Sequence, residues 1–286
     1  ALSLYLLIAI GFKGGVIVAE RGVDTTMAMA ITAGFILSAV IPFIASAILS
    51  RISTLPRIDV AAVAAHYGSI SIVTFVASTS ALDALGIKYE GYLVAVAAIM
   101  ESPAIIAALI LSRGSRDASD AGASDGLMRE VLLNGSIVVL TGAFIIGWIT
   151  GPAGFDQIDS FIVDPFKGVL CLFLLDMGLI AGRGIQRSAK ELRPPVILFG
   201  LFMPLIGANI ALAGALAIGL DAGSTALLMT LAGSASYIAV PAAMRVALPE
   251  ARPAIYLTLS LGITFPFNLI IGIPTYIWAA NAMIGV

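Results

Sequence analysis

Apolar residues run along this chain in blocks rather than in stripes. Nine blocks are apolar on every face and near the roughly 20 residues of helix that a bilayer requires: 1–19, 25–50, 58–83, 91–112, 128–150, 163–182, 194–219, 222–246 and 253–280. Helices that are hydrophobic all round belong in lipid or in a deep core, so the pattern predicts an all-α polytopic membrane protein. Short loops join the blocks. The one long polar stretch, "SRGSRDASDAGASDG" at 112–126, separates four spans from five and has the composition of a linker. It divides the chain into a first half, 1–111, a cytoplasmic linker, 112–127, and a second half, 128–286.

Two blocks carry polar interruptions near their centres. In the third, "HYGSIS" (66–71) leaves about ten apolar residues on either side, and in the eighth "AGSASY" (232–237) does the same. Ten helical residues reach only about 15 Å, so neither half crosses alone. Gly68 and Gly233 can leave helical backbone geometry, and Ser69, Ser71, Ser234 and Ser236 can accept from the N–H groups freed where each second half begins. Broken backbone at this depth is tolerated only where protein or a water-filled cavity covers it.

Composition strengthens this picture. Sixty per cent of the 286 residues are hydrophobic, 11% are charged, and mean hydropathy is +1.07. A formal net charge of −2 offers no basic face, which sets nucleic acid aside. Cys171 stands alone in an apolar run, which excludes an internal disulfide, and reads as a small core residue. Ala1 already lies in apolar helix without the charged lead-in of a signal peptide, so a preceding segment is expected. When the nine spans are threaded alternately, Arg51, Arg57, Arg113, Arg116, Arg129, Arg183, Arg187, Lys190, Arg193, Arg245 and Arg252 fall on one side. That side is cytoplasmic by the positive-inside rule, while "GFDQIDSFIVD" forms an acidic external loop.

The halves also echo each other in order. Gly11 and Gly15 match Gly178 and Gly182; Pro42 matches Pro204; Gly68, Ser69 and Ser71 match Gly233, Ser234 and Ser236; Tyr92 matches Tyr256; Pro103 falls one place from Pro266. Five spans separate the members of each pair, so equivalent helices run in opposite directions. This is the pattern of an inverted-topology repeat, five plus five if one helix precedes residue 1. The helix starts after the two breaks would then converge on the midplane from opposite sides, presenting N–H donors and serine hydroxyls to a small anion.

Ionisable residues inside the spans extend the site. Glu101 in "IMESPAII" lies beside Pro103, and the equivalent "TFPFN" supplies Thr264 and Asn268; such oxygens suit sodium better than a transition metal. Lys13 and Asp176 sit in repeat-related spans, where they either pair or snorkel to water. His66 precedes the first break, as a neutral donor to a carbonyl or as a proton-sensitive group. No organic cofactor is implied. A sodium/proton exchanger using Glu101 or Asp176 is the nearest alternative. A serine hydrolase built on His66 lacks both an oriented acid partner and a nucleophile motif.

The stretches "IGFKGG", "YGSIS", "MESPA", "SASYIAVPAAMRVALP" and "FPFNLIIGIP" resemble the sodium-dependent bicarbonate transporter family of cyanobacteria and other bacteria. The resemblance runs over nearly the whole chain, starting at what would be the family's second helix. It implies sodium-driven uptake of bicarbonate across the inner membrane, ten helices, core and gate bundles, and a homotrimer. The anion role then falls to Ser69, Ser71, Ser234 and Ser236. Cyanobacterial members also bind a PII-like regulator, but here the linker is much shorter. Two further departures mark this chain: Tyr237 stands where those members carry an aspartate, and the acid before the fourth-span proline is Glu101 rather than aspartate.

Overall fold

The computed structural model describes residues 2–22, 24–112, 135–188 and 193–284. The polar linker after Ser112, the first residues of the fifth expected span, Arg113, Arg116, Arg129 and Lys190 lie outside the described residues. Every regular element among those described is helical. In chain order they are α1 (Leu2–Arg21), α2 (Thr25–Ile52), α3 (Arg57–Gly68), α4 (Ile72–Leu85), α5 (Leu93–Ile99), α6 (Glu101–Ser112), α7 (Gly135–Ile162), α8 (Phe166–Ser188), α9 (Pro194–Ile218), α10 (Ala222–Ala232), α11 (Ala239–Ala247) and α12 (Pro253–Ile284).

Among the described residues six helical stretches are long and apolar enough to cross a membrane: Thr25–Ile52, Arg57–Leu85, Leu93–Ser112, Val138–Ile162, Pro194–Ile218 and Pro253–Ile284. Helices α1, α8 and the pair α10–α11 occupy the other three stretches that the sequence marks as spans. Caps define several starts. Asp24 accepts the Met27 N–H at 2.8 Å, and Asp221 accepts the Ser224 N–H at 2.8 Å, each satisfying a donor that a helix start leaves free.

Burial separates the centre from the rim. In an 18-residue apolar stretch of Arg57–Leu85, 94% of the residues are buried, against 28% in the corresponding stretch of Val138–Ile162. The helix interrupted in the middle is thus the one wrapped in protein, as its exposed backbone requires. Helix α10 is buried from Gly223 to Ala232. At one end of the bundle the loop between α2 and α3 meets the starts of α9 and α12. Arg193 reaches the Thr54 hydroxyl at 3.5 Å, and Asp59 takes the Arg252 side chain at 2.7 and 2.8 Å and its backbone N–H at 2.8 Å.

Three expectations need correction. The acidic stretch expected as an external loop is largely helical: α7 turns at Gly151 (φ 58°, ψ −153°) and continues through Ile162. Only glycine adopts that backbone readily, Pro152 is preorganised to start the next helical stretch, and Phe155, Ile158 and Ile162 then share one face. That face packs on Ala9, Phe12 and Val16 of α1, while Asp156, Asp159 and Asp164 stay exposed. Cys171, read as a core residue, is exposed on α8; in a chain solvated by lipid an apolar run does not by itself mean burial. The possible pairing of Lys13 with Asp176 is not formed. Lys13 lies 3.6 Å from the Asp83 carboxylate, joining α1 to α4, and Asp176 is exposed.

Candidate functional site

The site grows from the two interruptions. Helix α3 ends at Gly68 and α4 begins at Ile72, with Ser69 and Ser71 in extended backbone between them. Gly68 is required by a close approach: a Cβ there would run into the Pro42 ring of α2 and come within 3.0 Å of Ala104. Ser71 then caps α4, its Oγ accepting from the Thr74 N–H at 3.2 Å and from the Thr74 hydroxyl at 2.8 Å. The second interruption spans Gly233 to Ile238, between α10 and α11. A Cβ on Gly233 would lie 2.8 Å from the Pro204 carbonyl of α9. Ser236, the residue that matches Ser71 in sequence, lies three residues before α11, whose N-cap is Ile238, and its Oγ accepts from the Val240 N–H at 3.4 Å.

The two interruptions touch. The Ser71 N–H donates to the Ser234 hydroxyl at 2.8 Å, and the Ser236 N–H donates to the His66 carbonyl at 2.7 Å. Each break thereby satisfies a backbone donor with an acceptor from the other. Ser234 passes its own proton to the Leu231 carbonyl at 2.9 Å. His66 is fully buried, stacked on Tyr256 at 4.5 Å between ring centroids, with Nδ1 2.6 Å from the Ala62 carbonyl. A carbonyl can only accept, so the proton sits on Nδ1 and the bare Nε2 is an acceptor.

Ser71, Ser236, Tyr237 and Glu101 line one small cavity together with Ile70, Ile72, Ile238 and Ala239. Its free space of about 10 Å³ holds about one water molecule. Five buried side-chain atoms lack a hydrogen-bond partner among the described residues: His66 Nε2, Ser69 Oγ, Glu101 Oε2, Tyr237 Oη and Thr225 Oγ1. Glu101 and Tyr237 line this cavity, Ser69 lies in the first break, and His66 lies in the last turn of α3. Buried polar atoms are nearly always paired, so two orphans in one cavity, beside a break that carries a third, mark a place built to receive a polar guest.

The residues expected around sodium are not all gathered there. Glu101 lines the cavity, but the Thr264 hydroxyl donates to the Gly200 carbonyl at 2.7 Å and meets the Tyr67 hydroxyl at 2.6 Å. Asn268 donates to the Gly233 carbonyl at 2.8 Å and accepts from Tyr276 at 2.9 Å. Thr264 thus ties α12 to α9 and α3, and Asn268 ties it to the second break. Pro266 lies between two π-helical stretches, Thr258–Thr264 and Asn268–Gly272, wide turns that relieve the crowding a proline imposes on the turn before it. Among the described residues no group of three or more His, Cys, Asp and Glu side chains could hold a metal ion.

The model of the Na+-dependent bicarbonate transporter superfamily matches residues 1–281. The chain belongs to that superfamily. No curated protein matches it individually. Membership makes this multi-pass membrane protein a transporter, with bicarbonate and sodium as the solutes in the family's description. The paired breaks thus lie in a transporter whose described cargo is a small oxyanion and a hard cation. Tyr237, Asp59 and Tyr67 are the neighbours that sequence reasoning did not assign to this machinery. For Tyr237 there was a signal, since it directly follows the second serine motif.

Proposed function

We propose that the protein carries bicarbonate, or a similar small monovalent anion, into the cell together with sodium, through a site formed where the two broken helices meet. The carrying observation is the donor count at the cavity. Ser71 Oγ accepts twice from Thr74, and Ser236 Oγ accepts from Val240, so neither uses its own proton in those bonds; Tyr237 Oη has no partner. Three O–H donors and the starts of α4 and α11 then serve an anion without a full positive charge in the membrane. Glu101 supplies the one carboxylate of the cavity, and a carboxylate this deep calls for a cation. Sodium meets that need, with Thr264 and Asn268 acting as tethers of the neighbouring backbone.

Five-plus-five inverted-repeat architecture is part of the proposal, and contacts that recur between matched residues support it. Pro42 packs on Gly68 as Pro204 packs on Gly233. The Ser38 hydroxyl donates to the Met100 carbonyl, and in the other half the Thr264 hydroxyl donates to the Gly200 carbonyl; Ser38 and Gly200 are as far apart in sequence as Pro42 and Pro204. Asp59 accepts the Arg252 N–H and Ser224 accepts the Glu90 N–H at 2.9 Å, with Asp59 and Ser224 in the register of Gly68 and Gly233. In α1, Gly11 and Gly15 press against α7.

In operation, the buried bundle of α3, α4, α10 and α11 would shift against α1, α7 and α8, carrying both ions across. A cavity sized for one water is then a closed arrangement that widens to admit the anion. The test is uptake of labelled bicarbonate into proteoliposomes. Uptake that rises several-fold with an inward sodium gradient is expected; uptake indifferent to sodium, or of acetate instead of bicarbonate, would reject the assignment.

A further inference from the structure

Resting on the anion site just proposed, we infer that Tyr237 is its specificity-determining residue, the donor that selects a planar three-oxygen anion over a two-oxygen carboxylate of the same charge. The inference starts from asymmetry within the repeat. Ser71 and Ser236 are matched: Ser71 is the N-cap of α4, and Ser236, three residues before α11, accepts the Val240 N–H. The position after Ser71 is Ile72, an apolar wall of the cavity, whereas the position after Ser236 is Tyr237. Counting from Tyr92 and Tyr256, Glu101 likewise corresponds to Phe265. Two matched serines therefore face the guest in a related way, and the second half adds one donor that has no counterpart in the first.

That donor is held in place but left unsatisfied. Tyr237 is 92% buried, with 8% exposure, and its ring meets Phe265 edge to face at 5.3 Å. It lines the cavity with Ser71 and Glu101, and its hydroxyl has no hydrogen-bond partner among the described residues. A tyrosine fixed by its ring and open at its hydroxyl is a preorganised donor, since little side-chain freedom remains to be lost on binding. A two-oxygen anion such as formate can be satisfied by the serine pair. The third oxygen of bicarbonate or nitrate would take the Tyr237 proton. A site built to hydrogen-bond one particular oxygen discriminates against the analogue that lacks it, because its buried polar group is then left unpaired.

Tyr237→Phe tests this, because it deletes the hydroxyl and keeps the ring on Phe265. In proteoliposomes the bicarbonate KM should rise about 10- to 100-fold, the worth of one hydrogen bond to a charged group, with kcat and the sodium KM unchanged. Nitrate should lose potency as a competitor by a similar factor, while formate should keep its potency. Thermal stability in detergent should hold or rise, since an unpaired buried hydroxyl is removed. An unchanged bicarbonate KM, or equal losses for formate and bicarbonate, would overturn the role of Tyr237 while sodium-driven uptake by the wild type stood. A wild type that takes up no bicarbonate would overturn both readings.

Discussion

Ser69 and Ser234 are matched in the repeat, and both side chains are buried, at 1% exposure each, yet deleting their hydroxyls should have opposite effects. The Ser234 hydroxyl receives the Ser71 N–H at 2.8 Å and donates to the Leu231 carbonyl at 2.9 Å. Ser234→Ala leaves that N–H unpaired where no bulk water can replace the serine, at a cost of about 1–3 kcal/mol. Polar contacts inside membrane proteins fall toward the lower end of that range, so about 1 kcal/mol is expected. At roughly 2–4 °C per kcal/mol for a chain of this size, the Tm should fall by about 3 °C. The Ser69 hydroxyl has no partner, so Ser69→Ala should leave Tm unchanged or slightly raised while raising the KM for the anion. Intrinsic fluorescence from Trp148 and Trp278 can follow thermal unfolding in detergent, with uptake measured on the same preparations. Equal destabilisation by the two variants would refute the argument, because it would mean that the break-to-break hydrogen bond carries no weight.

Other expectations follow from the same geometry. Arg252→Ala removes the guanidinium from the Asp59 carboxylate, which is 2% exposed, and should destabilise by about 3 kcal/mol; Asp59→Asn in the same background should restore part of the loss in a thermal-melt series. Gly68→Ala drives a methyl group into the Pro42 ring, an overpacking cost of about 1–3 kcal/mol that should appear as lowered Tm and impaired uptake. Lys13→Ala breaks a pair whose partners are 40% and 48% exposed, so Tm should move by less than the equivalent of about 1 kcal/mol.

The sequence exposed the breaks because glycine and two spaced serines inside an apolar block have few structural uses, and because the motif occurs twice. Glu101 was legible for a similar reason, as an acid in an otherwise apolar span. The helix after Gly151 was hidden by Asp156 and Asp159, which read as loop until the face formed by Phe155, Ile158 and Ile162 is seen against α1. Thr264 and Asn268 were recognised as buried oxygen donors, but sequence spacing could not reveal that Tyr67, Gly200, Gly233 and Tyr276 already engage them. The Asp59–Arg252 clasp joins residues distant in the chain, so no local pattern announces it. Tyr237 was legible as a departure from the family's aspartate, but its place in the cavity with Ser71 and Glu101 was not.

The most direct test of the central claim is a comparison of wild type with the Ser71→Ala/Ser236→Ala double variant in proteoliposomes, reading labelled bicarbonate uptake under an inward sodium gradient and sodium/proton exchange on the same vesicles. The account predicts sodium-driven bicarbonate uptake by the wild type, loss of that uptake in the double variant, and no appreciable sodium/proton exchange by either. Bicarbonate uptake that persists in a folded double variant, or sodium/proton exchange by the wild type that Glu101→Gln abolishes, would contradict it.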